Sequence, residues 1–158
     1  MAGIQRTVAL EFLRTFQDLD IDSNLALRTP DCRHTMAPAS LSYPASMTND
    51  QWAAHGLSLK EVLVAFPVTP KEVFGHEASN QVTIWATSSA VFRDDVKDDE
   101  DSVDWSYFGE YIFVFSFNQA GDKVERVLEF LDSKKVEEVR ALMQRARRNL
   151  AAKKVQSS

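Results

Sequence analysis

The stretch of sequence that decides the fold is Trp105-Ser-Tyr-Phe-Gly-Glu-Tyr111-Ile-Phe-Val-Phe-Ser-Phe117. Its composition is typical of a β-strand, and its odd-numbered positions are almost all aromatic. The even-numbered positions are largely apolar as well, whereas a strand with one face in water alternates apolar and polar residues. We therefore expect both faces of this strand to be covered. The aromatic face suits the lining of a concave pocket for a flat or polycyclic ligand.

The rest of the chain predicts an α+β protein. Apolar periodicity predicts helices over residues 4–19, 20–28, 48–66 and 133–152, and strands over 70–76, 80–93, 105–118 and 122–132. The intervening residues 29–47 contain three prolines and are expected to form a loop. Three helices, four antiparallel strands and a closing helix predict a cone, in which a curved antiparallel sheet wraps around the N-terminal helices.

Local signals place several element ends. Thr48 and Gln51 have the spacing of a helix-capping box, and Asp132 has the chemistry of a helix N-cap. Gly121 stands at the left-handed position of a hairpin turn. We expect one domain over 1–152, followed by a frayed tail over 153–158.

Composition excludes several classes of protein. The chain has 158 residues, of which 44% are hydrophobic, so it can bury a core without cross-links. Its single cysteine excludes a disulfide framework and an all-cysteine metal site. No apolar run reaches the length of a membrane span, and a cytoplasmic location is expected. The basic residues after Ser133 lie on an amphipathic helix without aromatic residues, so a nucleic-acid partner is not expected.

Nothing in the sequence predicts a metal or a cofactor. The three histidines lack metal-ligand spacing, and the nucleotide-binding and serine-nucleophile motifs are absent. The acidic run within residues 94–104 is interpreted as a solvated, mobile loop rather than a cation site. Cofactor-free proton chemistry fits these observations.

Candidate catalytic groups lie on the last two predicted strands. Tyr107 and Tyr111 point to the same side, and Glu129 interrupts the apolar segment Val127-Leu-Glu-Phe-Leu131. A carboxylate in such a segment is costly unless it is paired or functional. If the hairpin pairs Asn118 with Asp122, Tyr111 lies opposite Glu129. A Glu that faces solvent beside Arg126 is the alternative.

Other candidates lie outside these two strands. Arg33 and His34 belong to the proline-bearing loop, where they can fold over the mouth of the cone; a surface Arg33 is the alternative. His55 can transfer protons or be a satisfied core histidine. The side chains expected to bind substrate are His34, His55, Trp52, Trp85 and Phe113, with Trp85 either in the core or in the pocket wall.

Several segments resemble a known family. They are Asp31-Cys-Arg-His34, Pro38-Ala-Ser-Leu41, Val82-Thr-Ile-Trp-Ala86, Gly109-Glu-Tyr111 and Glu129-Phe-Leu-Asp-Ser133. Over residues 4–150 the chain is similar to the fungal NTF2-like (SnoaL-like) secondary-metabolite isomerases, which include the brevianamide-pathway semipinacolase and the terretonin and austinol meroterpenoid isomerases. The resemblance implies a homodimer formed through the outer sheet face, no cofactor and a polycyclic small-molecule substrate.

The resemblance also implies a catalytic set. Tyr107, Tyr111 and Glu129 match the tyrosines and glutamate of the semipinacolase, and its arginine maps to Arg33. The expected activity is a cofactor-independent, acid/base-assisted 1,2-shift on an oxidised indole alkaloid. Two alternatives share the fold: a meroterpenoid ring rearrangement, and a dehydratase or cyclase. A non-catalytic ligand-binding or dimerisation module is the alternative of another class.

Overall fold

The computed structural model describes residues 2–98 and 102–158 and contains four α-helices and seven β-strands in those ranges. The helices are α1 (Ala2–Arg14), α2 (Ile21–Ala26), α3 (Asn49–Lys60) and α4 (Ser133–Gln156). The strands are β1 (Arg28–Ala37), β2 (Leu63–Ala65), β3 (Val68–His76), β4 (Gln81–Ser89), β5 (Val91–Phe92), β6 (Phe108–Phe117) and β7 (Val124–Leu131).

A five-stranded sheet organises the molecule. Its strand order is β1-β7-β6-β4-β3, while β2 and β5 pair separately. The pairs β3–β4, β4–β6 and β6–β7 are antiparallel, as expected, but β1 lies parallel to β7. The helices and the sheet confirm the predicted α+β fold class.

Strand β1 is the element that the sequence prediction missed, because residues 29–47 were expected to form a loop. Pro30 lies where the register between β1 and β7 shifts, between Arg28 and Arg33. A strand at the sheet edge tolerates proline at such an irregularity, since the missing N–H is not needed for a partner there. The residues that β1 buries include Arg28 and His34, so the strand has no apolar alternation to reveal it.

The hairpin between β6 and β7 has a different register from the predicted one. Phe113, not Tyr111, pairs with Glu129, and Tyr111 pairs with Leu131. The hairpin loop is longer than expected, because the Asn118 N–H donates to the Lys123 carbonyl and the ladder shifts between Ser116 and Phe117. The net change is two residues, so each side chain keeps its face of the sheet.

Helix ends follow the local signals, with three differences in length. Helix α1 ends at Arg14 rather than at Leu19, which has a left-handed φ of 55°. The Thr48–Gln51 capping box and the Asp132 N-cap are both present, and Gly121 has a φ of 77°. Helix α3 ends at Lys60 rather than near Phe66, because the next residues form β2 and pair with β5. Helix α4 continues to Gln156, through the residues expected to fray.

The two faces of the sheet differ in their cover. The inner face packs against α1 through a core that includes Phe12, Leu13, Ile84, Phe113 and Phe115. On the outer face Phe108 is 70% exposed, Phe130 49% and Ile112 39%. The prediction of two apolar faces is thus correct, but among the residues that the structure describes only the inner face is covered. No helix in the described ranges is long and apolar enough to cross a membrane.

The described residues of the acidic run make specific contacts. Asp94 and Asp95 open a 3-10 turn and pair with Lys97 and Arg93, respectively. Asp98 accepts hydrogen bonds from Arg145 and Asn149 of α4. Residues 99–101, which belong to the predicted mobile loop, lie outside the described residues. These aspartates are therefore held by ion pairs and hydrogen bonds to nearby side chains.

Candidate active site

A cavity of about 810 Å³, its open mouth included, lies between the inner face of the sheet and helices α2, α3 and α4. Its walls are mainly apolar and include Phe16, Trp52, Leu59, Phe66, Leu131 and Met143. Its polar side chains are Thr15, Asp20, Tyr43, His55, Tyr107, Tyr111, Glu129 and Arg140. An apolar cavity with a few convergent polar groups is the usual form of a small-molecule site.

Glu129 is the buried acid of this cavity. It occupies an inward position on β7, in a row with Val127 and Leu131, and is 6% exposed. Its Oε2 lies 2.8 Å from Nε2 of His34, which is fully buried. The parallel pairing of β1 with β7 sets His34 opposite Val127, and so one step along the same face from Glu129.

The proton positions on His34 follow from its other neighbour. The Arg28 Nη2 lies 3.1 Å from Nδ1 of His34, and a guanidinium can only donate. Nδ1 is therefore the acceptor, and the single proton of the neutral ring is on Nε2, where it is donated to Glu129. Burial lowers the pKa of His34, which favours this neutral form. A directed chain thus runs from Arg28 through His34 to the carboxylate.

Arg28 is a buried cation held from several sides. Its Nε donates to Oδ1 of Asn24 at 2.8 Å, and the Asn24 amide donates to Thr15 Oγ1 at 2.8 Å. The guanidinium lies 4.1 Å from the ring centroid of Trp52 and 4.8 Å from that of Phe12. Burial lowers the pKa of Arg28 to about 10, so it stays charged at neutral pH. Its charge balances that of Glu129 across the histidine.

Two tyrosines lie on the same wall as Glu129. The hydroxyls of Tyr107 and Tyr111 are 2.9 Å apart, and Ser88 Oγ lies 2.7 Å from Tyr111 Oη. Burial raises the pKa of Tyr107, and it raises the pKa of Tyr111 well above the usual value near 10. Both phenols are therefore neutral hydrogen-bond donors at neutral pH. Because Tyr111 and Glu129 are diagonal neighbours in the ladder, their Cβ atoms are roughly 7–8 Å apart.

Gly109 makes the tyrosine pair possible. A Cβ at this position would overlap the Tyr107 hydroxyl and lie 2.8 Å from both Tyr107 Cζ and Tyr111 Oη. The Tyr107 ring folds back over the bare Cα instead, which brings its hydroxyl to Tyr111. The absence of a side chain at Gly109 is thus a geometric requirement of the site.

A second polar group lies on the opposite wall, where α4 meets the segment after β1. The Arg140 guanidinium stacks 4.6 Å from the ring centroid of Tyr43 and donates to the Leu41 carbonyl at 2.5 Å. The Tyr43 ring meets His55 edge to face at 6.0 Å. Burial raises the pKa of Tyr43 and lowers that of His55. These groups can orient a polar substituent of a ligand.

The structure brings most of the predicted site residues together. Tyr107, Tyr111, Glu129, His55 and Trp52 line the cavity. His34 lies behind Glu129 and is stacked on Trp52 at 6.1 Å, rather than in a loop over the mouth. Phe113 lies in the core, stacked beneath Tyr111 at 5.7 Å, and does not line the cavity.

Arg33 is not in the cavity. It lies on β1 next to the inward-facing His34, and successive residues of a strand point to opposite faces, so its side chain is exposed. The placement of Arg33 over the pocket is therefore wrong. The arginine of β1 that points inward is Arg28, five residues earlier, which lies behind Glu129 and contacts His34.

Trp85 also lies outside the cavity. Its neighbours Ile84 and Ala86 are fully buried on the inner face of β4, so Trp85 points to the outer face. There its Nε1 donates to Oε2 of Glu110 at 2.7 Å, and Lys71 lies over its ring. The prediction that Trp85 belongs to the core or to the pocket wall is wrong.

The sequence analysis did not identify several residues of the site. They are Asn24, Arg28, Tyr43, Ser88 and Arg140. All five belong to segments assigned to a loop or to ordinary helix and strand faces. The available signal was the spacing of Arg28, Cys32 and His34, which are all buried on one face of β1.

The buried histidines predict how stability depends on pH. Because folding lowers the pKa of His34 and of His55, the unfolded chain binds more protons than the folded one below pH ~6.5. We expect the free energy of unfolding to be level near pH 7–8. It should then fall as the pH drops from about 6.5, by up to ~1.4 kcal/mol per pH unit for each histidine.

Urea unfolding between pH 8 and 5 measures this dependence. The His55→Gln variant should show a shallower slope. The His76→Gln variant, which alters an exposed histidine, should keep the slope of the parent protein. A stability that stays constant down to pH 5.5 would contradict the prediction.

Comparisons with known proteins identify sequence relatives and solved structures that share the fold. No protein-family model matches the chain. Austinoid biosynthesis cluster protein H of Aspergillus calidoustus is 30% identical over 127 residues, which are 80% of this chain and 82% of that protein. The structure of AusH from Aspergillus nidulans superposes with a TM-score of 0.70 at 26% identity, over 83% of this chain and 85% of that chain.

A further solved structure shares the fold. The BvnE pinacolase from Penicillium brevicompactum superposes with a TM-score of 0.77 over 91% of this chain and 96% of its own, at 24% identity. At that identity the likeness shows the fold alone.

Proposed function

Because the chain belongs to the NTF2-like family of fungal secondary-metabolite isomerases that includes austinoid biosynthesis cluster protein H, we propose that it rearranges an oxidised polycyclic substrate by acid/base catalysis. The observation that carries the proposal is the juxtaposition of a buried carboxylate, Glu129, with the phenols of Tyr107 and Tyr111 in one apolar cavity. A base and two acids face the same space, and the largely apolar walls limit access of water.

The division of roles follows from the hydrogen bonds. Glu129 accepts a hydrogen bond from His34 on Oε2, and its charge is balanced by that of Arg28, so its carboxylate is the base. The phenols of Tyr107 and Tyr111 are neutral and have protons to donate. Tyr111 and Glu129 project from the same face of the sheet into one cavity, where a reacting group can lie between them.

The reaction type that we propose is a semipinacol 1,2-shift on a 3-hydroxyindolenine. Glu129 takes the hydroxyl proton, and the electrons of that O–H bond form the carbonyl. The neighbouring carbon substituent migrates with its bonding electrons to the imine carbon. The C=N π electrons move to nitrogen, which takes a proton from the phenol pair. Return of the proton from Glu129 to the phenolate, directly or through water, restores the site. The product is an isomer of the substrate.

A second candidate substrate is a terpenoid polycycle. The relative at 30% identity is named for an austinoid cluster, whereas the pinacolase shares only the fold at 24% identity. The same base and acids can isomerise a hydroxylated or carbonyl-bearing terpenoid. On that substrate His55, Tyr43 and Arg140 would orient the second oxygen function.

The deciding experiment supplies both substrate classes to the purified protein. One panel contains 3-hydroxyindolenines prepared by oxidation of prenylated indole alkaloids, and the other contains oxidised polycyclic terpenoids. Chiral LC–MS follows each compound. A new isomer of unchanged mass supports an isomerase and names the class, whereas loss of water assigns a dehydratase. No conversion, together with a thermal shift on binding, would favour a non-catalytic ligand-binding module.

The homodimer also remains a proposal, and the outer sheet face supports it. Phe108, Ile112 and Phe130 form an exposed apolar row there, next to Trp85. A second copy of this chain would cover the row from both sides of a two-fold axis. Sedimentation of the wild-type protein should give twice the monomer mass at micromolar concentration, and Phe108→Asp should shift the protein to monomer. A monomeric wild type contradicts the proposal.

A further inference from the structure

Three hydroxyl groups form a chain that ends at the cavity. Ser88 lies on β4 opposite Gly109 of β6. Its Oγ is 2.7 Å from Tyr111 Oη, which is 2.9 Å from Tyr107 Oη. Ser88, Tyr107 and Tyr111 are all at most 4% exposed. The two tyrosines line the cavity, whereas Ser88 lies behind them and does not line it.

The row of hydrogen-bonded hydroxyls has a direction, because each hydroxyl has one proton to donate. Within residues 2–98 and 102–158, the acceptor in hydrogen-bond range of Ser88 Oγ is Tyr111 Oη, so Ser88 donates to Tyr111. With its oxygen engaged by Ser88, Tyr111 donates to its other neighbour, Tyr107. The proton of Tyr107 is then the one left for the cavity. The opposite direction would leave the buried Ser88 proton without an acceptor, which is costly.

We propose that Ser88 is a positioning residue that makes Tyr107, rather than Tyr111, the proton donor to the substrate. The inference rests on the proposed acid/base isomerase and names the acid in it. Ser88 does not touch the substrate; it acts through Tyr111. Accepting a hydrogen bond from Tyr111 also makes the Tyr107 phenol the better acid, because that bond stabilises the phenolate formed when Tyr107 gives up its proton.

Gly109 makes the second contact of the hydroxyl chain possible. The bare Cα of Gly109 lets the Tyr107 hydroxyl reach Tyr111. A Gly109→Ala change therefore breaks the second link, and Ser88→Ala breaks the first. The two variants alter different residues on neighbouring strands but interrupt one chain of hydroxyls.

Kinetics on the substrate that the LC–MS experiment finds test the role of Ser88. We expect Ser88→Ala to lower kcat about tenfold, the effect of one lost hydrogen bond, with KM changed less than about twofold. Ser88→Thr keeps the hydroxyl and should restore most of kcat. The matched control is Ser89→Ala, the next residue on β4, which should behave as wild type. In a Tyr107→Phe background Ser88→Ala should cost nothing further. Wild-type kcat in Ser88→Ala, failure of rescue by threonine in a folded protein, or additive losses would each overturn the proposal.

A readout without substrate separates this proposal from the reaction itself. The chain has three tyrosines, so protein labelled with ¹³C at tyrosine Cζ gives three signals, which single Tyr→Phe variants assign. Ser88→Ala should shift both the Tyr111 and Tyr107 signals and leave Tyr43 in place, while Ser89→Ala leaves all three. Gly109→Ala should shift the Tyr107 signal as well, with Gly75→Ala, an exposed site with open space, as its control. An unmoved Tyr107 signal in folded Ser88→Ala would refute the directed chain even if no substrate is ever turned over.

Discussion

Replacing Glu129 by glutamine lowers kcat by roughly 10²- to 10⁴-fold, the usual contribution of a positioned acid or base, in a protein that still folds but is less stable because Arg28 loses its counter-charge. The amide keeps the shape of the side chain and its oxygen can still accept from Nε2 of His34. What it loses is the ability to take a proton from the substrate. Steady-state kinetics on the substrate found by LC–MS, with circular dichroism to check the fold, measure the effect.

Strand β7 offers the control for this variant. Glu125 lies on the same strand but is exposed, so Glu125→Gln makes the same chemical change away from the cavity. We expect wild-type kcat and KM for Glu125→Gln. Wild-type turnover by Glu129→Gln would remove Glu129 as the base and with it the proposed mechanism.

Replacing Arg28 by methionine destabilises the protein by about 3–5 kcal/mol, the range measured when one partner of a buried charge pair is removed. Methionine keeps an unbranched apolar side chain at this position but removes the guanidinium that lies over the rings of Phe12 and Trp52. The loss arises because Asn24 Oδ1 and His34 Nδ1 lose their donor and the Glu129 charge is no longer balanced. Urea unfolding at pH 7.5 measures the change.

Strand β1 contains its own control. Arg33→Met removes an identical charge five residues away, from an exposed side chain, and should change stability by no more than about 0.5 kcal/mol. Equal losses in the two variants would show that Arg28 has no special role. The comparison also tests which arginine is the buried partner of Glu129, because the sequence prediction chose Arg33 and the structure shows Arg28.

The local part of the fold could be predicted because its causes are local. The capping box of α3, the Asp132 cap of α4 and the left-handed Gly121 depend on a few adjacent residues. Strands β4, β6 and β7 were recognisable because aromatic and β-branched residues dominate them. Register errors came from the hairpin loop, whose length depends on the hydrogen bond between Asn118 and Lys123.

Part of the candidate site could be predicted for the same reason. Tyr107, Tyr111 and Glu129 sit on strands whose period of two fixes their face, and a two-residue shift in register does not change it. Arg33 and His34 were both expected to reach the pocket, which a loop allows. On a strand two successive residues cannot face the same side, so His34 points inward and Arg33 outward.

The sequence by itself thus determined the fold class, the aromatic wall and the carboxylate that interrupts an apolar strand. Only the tertiary structure decided which cation and which histidine stand behind that carboxylate. The reason is that β1 exists as a strand through pairing with β7, nearly a hundred residues away in sequence, and its buried side is polar. Pairing between distant segments is set by the whole sheet, and residues 28–37 lack the apolar alternation that would reveal a strand.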